Sequence, residues 1–141
     1  MALHNELGEM GENIASNFLV NKGFKLIERN HNRKWGEIDI ILHKDKKLHF
    51  VEVKTVKRQS VNGVFEQPTT NTLSKSKNEI RPEENMHVHK VKRLKRVIET
   101  YLLENKHKWG SEVVWQFDLV CVYADPDKKV AKVSIMQNLI L

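Results

Sequence analysis

The stretch that decides the fold is Glu37-Ile38-Asp39-Ile40-Ile41-Leu42-His43-Lys44-Asp45-Lys46-Lys47-Leu48-His49-Phe50-Val51-Glu52-Val53-Lys54-Thr55. Residues 37–42 and 48–55 are dense in β-branched and aromatic side chains, and Lys44-Asp45-Lys46-Lys47 is a polar turn between them. Two such runs joined by a short turn predict a β-hairpin. Side chains alternate faces along a strand, so Glu52 and Lys54 point the same way. Asp39 lies toward the same end of the hairpin and can reach the face they occupy. Asp39 is flanked by Ile38 and Ile40, and Glu52 by Val51 and Val53. A charge in so apolar a strand is costly unless it is paired or bound to a metal.

Upstream of the hairpin, residues 3–22 predict a helix. Leu3, Leu7, Met10, Ile14 and Phe18 recur at helical spacing, and Gly23 follows as a stop. Beside that face runs a smaller stripe of Gly8, Gly11, Ala15 and Leu19, with Glu12 at its edge. Small residues allow another backbone to come close, which would hold Glu12 near the body of the domain. Phe24 to Arg29 reads as a first strand.

Downstream, residues 57–86 are rich in Ser, Thr, Asn and Lys, which predicts a long mobile loop. Residues 87–106 return to helical periodicity. Val91, Leu94, Ile98, Tyr101 and Leu102 form the apolar face, with His89, Lys92, Arg93 and Arg96 opposite. Val113 to Tyr123 is a long β-prone run, Asp125-Pro126-Asp127 a turn, and Lys129 to Ile135 a last strand. The order α-β-β-β-α-β-β predicts an α/β fold of the α+β kind, a mixed sheet covered by helices.

The chain has 141 residues, which favours a single domain over 1–141, since domains peak at roughly 100–150 residues. Lys and Arg number 24 against 18 Asp and Glu, for a net charge of +6. That excess is concentrated: residues 87–108 hold seven basic and two acidic groups. A localised basic element points to a polyanionic partner more strongly than a diffuse one. The one cysteine, Cys121, excludes an internal disulfide and a Cys-rich zinc site, and reads as a buried small hydrophobe. The N-terminus lacks a basic-then-apolar leader pattern, and no apolar run approaches the ~18 residues of a membrane span. A cytoplasmic setting without a membrane partner is the expectation. There is no Gly-rich phosphate loop, so ATP use is unsupported.

Two carboxylates and an ammonium converging at strand ends have a definite chemical use. Carboxylate oxygens bind a hard divalent cation such as Mg²⁺. Such a cation polarises a phosphoryl oxygen and lowers the pKa of a bound water. A lysine can orient that water or stabilise charge building on the phosphate. Glu12 offers a further carboxylate, and the basic helix offers phosphate contacts. Asp39 with Glu52-x-Lys54 is nonetheless a short pattern, and a solvated strand carrying a cross-strand ion pair would show the same residues. His87-x-His89 lacks a partnering cluster and reads as a helix start. Trp35, beside Arg33 and Lys34, fits either nucleic-acid proximity or surface packing.

Four blocks carry a more specific resemblance. They are Gly8-x-x-Gly11-Glu12-x-x-Ala15 with Gly23-Phe24 and Arg29-Asn30; Gly36-Glu37-Ile38-Asp39-Ile40-Ile41; Phe50-Val51-Glu52-Val53-Lys54-Thr55; and Pro82-Glu83-Glu84-Asn85-Met86 with Lys90 and Arg93-Leu94, then Phe117-Asp118-Leu119-Val120. In this order they resemble the YraN-like family of small bacterial proteins, within the PD-(D/E)xK restriction-endonuclease-like superfamily. The resemblance implies a restriction-endonuclease-like core, similar to that of archaeal Holliday-junction resolvases. By position it makes Asp39 and Glu52 metal ligands, the Val53 carbonyl an extra ligand, Lys54 the catalytic lysine and Glu12 the helix-borne acid. Glu9 is a rival to Glu12, but Gly11-Glu12 fits the family pattern better. Val56 stands where the family commonly has Arg, Gln116 replaces the Arg of Arg-Phe-Asp, and residues 60–80 look like an insertion.

The implied activity is Mg²⁺- or Mn²⁺-dependent hydrolysis of DNA phosphodiester bonds, in branched or single-stranded DNA. Lys90, Lys92, Arg93 and Arg96 are the candidate phosphate contacts, with DNA favoured over RNA, and any oligomer is expected to be a homodimer. The alternatives are a catalytically silent nucleic-acid-binding module and a subunit whose activity needs a partner.

Overall fold

The computed structural model describes residues 3–65 and 88–141, with side chains from Glu6 in the first segment and from His89 in the second. The elements are α1 (Leu3–Asn21), β1 (Lys25–Arg33), β2 (Gly36–Lys44), β3 (Lys47–Lys57), α2 (Val88–Glu104), α3 (Lys106–Trp109), β4 (Val114–Asp125) and β5 (Val130–Met136). The five strands form one sheet in sequence order. Only the β3–β4 pair is parallel. A parallel step needs a crossover, and α2 lies within it. This is the mixed sheet with helices that the sequence predicts, and the hairpin of residues 37–55 is β2–β3.

Helices α1 and α2 take opposite faces. Leu48 and Phe50 of β3 pack with Leu94, Val97, Ile98 and Tyr101 of α2. Val51 packs with Ala15 and Leu19 of α1. The same alternation puts Glu52 and Lys54 on the α2 side, and Val53 and Thr55 on the α1 side.

Helix α1 presents a different stripe from the one its large residues suggest. Gly11, Ala15, Ser16 and Leu19 are buried, whereas Leu7, Met10, Ile14 and Phe18 are only half-buried. The cause is close approach. A Cβ built on Gly11 would lie 1.8 Å from Thr55 Oγ1, so only glycine lets α1 rest on β3 here. Gly8 has open space around it and plays no such part.

Two elements depart from expectation. Strand β1 continues past Arg29 through Asn30-His31-Asn32-Arg33, pairing with β2 as far as Arg33 and Gly36. These polar residues pass for a loop because their stabilising contacts are remote: Arg33 Nη2 meets Glu104 Oε2 of α2 at 2.5 Å, and the ring of the buried His31 meets that of Tyr101 edge to face. The helix expected over 87–106 ends at Glu104; the Asn105 backbone N–H and Nδ2 both donate to the Tyr101 carbonyl, at 3.0 and 2.8 Å, and α3 begins at Lys106.

The segment expected to be a long loop starts tied down. Ser60 is buried, and its backbone N–H and hydroxyl both donate to Asp125 Oδ2, at 2.7 and 2.8 Å. Residues 66–87, which include the rest of that segment, the 82–86 block and His87, lie outside the described residues. Among the described residues no helix is long and apolar enough to cross a membrane.

Candidate functional site

Strands β2 and β3 pair from Lys44 and Lys47 to Ile40 and Val51, and no further. Beyond that point β3 stays with β4 as far as Lys57, while β2 stays with β1 as far as Gly36. The sheet therefore opens at Asp39. The Val53 N–H, left without a ladder partner on that edge, donates to Asp39 Oδ2 at 2.7 Å. The Val53 carbonyl points to the same edge as its N–H, so it faces the same opening.

Glu37 and Glu12 join Asp39 there. An oxygen from each of Glu12, Glu37 and Asp39 lies within 4.8 Å of the others. Asn30, with its amide nitrogen turned inward, donates to Glu37 Oε1 at 2.9 Å and to Glu12 Oε2 at 3.1 Å. Arg29 Nη2 lies 3.7 Å from Glu12 Oε2. Gly11 is what brings Glu12 so near, since α1 sits directly on Thr55 one residue away. Glu9 is exposed and outside this group.

Glu52 is held differently. Its Oε1 accepts from Lys90 Nζ of α2 at 2.6 Å. Gly36, Glu37, Asp39, Glu52, Lys90, Arg93 and Leu94 line a cleft of about 380 Å³ between the parted strands and α2. Gly36 lets α2 close over it: a Cβ there would lie 3.1 Å from Val97.

The carboxyls feel one another. Burial, then the charge of Glu52, pushes Asp39 up to about 8; Glu12 and Glu37 add to this, and the Val53 N–H opposes it. Glu12 is also raised, by burial and then by Glu37, against the pull of Arg29. Asp39 therefore does not stay ionised at neutral pH without further positive charge beside it. An all-oxygen donor set from three separate elements is the kind a hard divalent ion takes.

The remaining candidates fall into two groups. Lys54 is exposed on the α2 side, two residues beyond Glu52, and is not among the described residues lining the cleft. Arg93 lines the cleft, and Lys92 and Arg96 are exposed on α2. The Arg96 guanidinium lies 4.1 Å from the centroid of the Trp35 ring, and Trp35 in turn packs on the core under α2. Glu37 is absent from the candidate ligands above, although its position two residues before Asp39 gives both side chains the same face of β2.

Comparison with known proteins agrees with the blocks quoted above. The sequence profile of Uncharacterised protein family UPF0102 matches residues 11–122. A UPF0102 protein of Campylobacter lari is 38% identical over 95% of this chain and 99% of its own length. One from Campylobacter fetus is 31% identical over 90% of this chain and 92% of its own. One from Caldicellulosiruptor bescii is 29% identical over 94% and 95%. The match covers the second half of α1, the opened hairpin, α2 and most of β4, and the chain belongs to the UPF0102 (YraN) family.

Proposed function

We propose that the protein is a Mg²⁺- or Mn²⁺-dependent endonuclease that hydrolyses DNA phosphodiester bonds, with branched or single-stranded DNA as the substrate class. The observation that carries this reading is the convergence of Glu12, Glu37 and Asp39 where β2 and β3 part, with Glu52 lining the same cleft beneath a strongly basic helix. Asp39, Glu12 and Glu52 would hold the cation, with the Val53 carbonyl, and Glu37 belongs with them by position. A bound divalent ion supplies Lewis-acid polarisation of a phosphoryl oxygen and a water of lowered pKa. Lys54 orients the attacking water or offsets charge building on the phosphate. Lys92, Arg93 and Arg96 hold neighbouring phosphates through contacts that are sequence-independent and salt-sensitive.

The test is cleavage of plasmid, single-stranded and four-way-junction DNA by the full chain with each metal, against Asp39→Ala, Glu52→Ala and Lys54→Ala. The reading expects cation-dependent cutting that each substitution abolishes. The exposure of Lys54 favours one rival, a nucleic-acid-binding module without cleavage. Metal-independent, salt-sensitive binding with no product would establish that rival and overturn the endonuclease reading.

A further inference from the structure

Glu52 presents a conflict that the endonuclease reading must resolve. It is needed beside Asp39, yet it stands outside the Glu12–Glu37–Asp39 group and its Oε1 is bonded to Lys90. A cation that takes Glu52 through Oε1 must take it from an ammonium already there. We propose that Lys90 is a built-in competitor of the divalent cation: it holds Glu52 until the cation binds, then gives it up and turns to the substrate phosphate beside Arg93. This rests on the metal-site reading above.

Three observations support it. The first concerns the helix. Lys90 lies in the first turn of α2, where the helix dipole disfavours a cation, and that turn contains no acidic residue. Its placement is therefore not explained by the helix and is explained by Glu52. The second is exposure. The Glu52 side chain is 16% exposed and needs a counter-charge, whereas that of Lys90 is 44% exposed. A flexible four-carbon stem that far in solvent can swing away at little cost. The third is the neighbour. Arg93, three residues on and on the same helix face, lines the same cleft. Once released, the Lys90 ammonium stands next to a guanidinium, and the two form a cationic lip above the carboxylates.

A residue that merely props up the site would lower metal affinity when removed. A competitor raises it. The decisive experiment is calorimetric titration of the full chain with Mn²⁺, for wild type, Lys90→Met, Lys90→Gln, Lys90→Arg and Asp39→Asn, with thermal melting of each without metal. The proposal expects Lys90→Met and Lys90→Gln to bind Mn²⁺ ~5-fold more tightly, the affinity equivalent of one part-exposed ion pair, while melting lower without metal. Lys90→Arg keeps the charge and should restore wild-type values. Unchanged or weaker Mn²⁺ binding in both neutral variants overturns the proposal while leaving the metal site standing. Absence of Mn²⁺ binding in wild type, or equal binding by Asp39→Asn, overturns the metal site itself and the proposal with it.

Discussion

The backbone N–H of Val53 donates to the side chain of Asp39 where the β2–β3 ladder ends. One carboxylate oxygen thus replaces the strand that has turned away, and the carboxylate is fixed at the mouth of the opening. The cost is that Asp39 lies among three other carboxyls.

That cost should be visible in the pH dependence of stability. Asp39 is raised to about 8 from its ordinary 3.8, so between about pH 4 and pH 8 the folded protein keeps a proton that the unfolded chain releases. Its contribution is fully present below pH 4 and is lost as pH rises through 8. Without divalent metal, the urea midpoint of wild type should fall from about pH 5 to about pH 9, and Asp39→Asn should flatten that fall. Parallel curves for the two proteins would show that Asp39 is not the group responsible.

Gly11 and Gly8 should respond in opposite directions to the same change. Alanine at Gly11 places a Cβ 1.8 Å from Thr55 Oγ1, forcing α1 off β3. The expected loss is about 1–3 kcal/mol, the range for overpacking, together with weakened metal binding as Glu12 moves out. Gly8 is helical with open space around it, so Gly8→Ala should stabilise by about 0.5–1 kcal/mol. Denaturant titrations of both variants provide the comparison.

DNA binding should depend on α2 through its charges and through how they are held. Replacing Lys92 and Arg96 by Glu should weaken binding of all DNA sequences alike. It should also reduce the slope of log affinity against log salt by ~1 for each phosphate that is no longer neutralised. Trp35→Leu frees the Arg96 guanidinium from the ring beneath it and should weaken binding without changing the charge. Fluorescence anisotropy across a salt series separates these effects. A salt slope unchanged by the double replacement would place the DNA elsewhere.

The sequence was readable where chemistry and periodicity are local. Alternation and a polar turn located β2–β3, and the apolar flanks of Asp39 and Glu52 marked both as unusual charges. Glu37 is equally legible from its two-residue spacing to Asp39, although it lies outside the Asp…Glu-x-Lys pattern. Other features depend on residues far apart in the chain. The Lys90–Glu52 pair needs the crossing of α2 over β3, and the strand through Asn30-His31-Asn32-Arg33 is stabilised by Tyr101 and Glu104 of α2. The small-residue stripe of α1 is legible as a face of close approach, and burial along it follows nearness to Thr55 and not side-chain volume.

The role of Asp39 is tested by the rate of Mn²⁺-dependent cleavage of a four-way junction by wild type and by Asp39→Asn. The variant keeps an oxygen for the Val53 N–H and removes the charge. With near-UV circular dichroism matching wild type, its rate should fall by more than the ~10–100-fold that follows loss of a group one step from a metal. Equal rates for the two proteins, or no cleavage by wild type, would overturn the metal-dependent endonuclease reading.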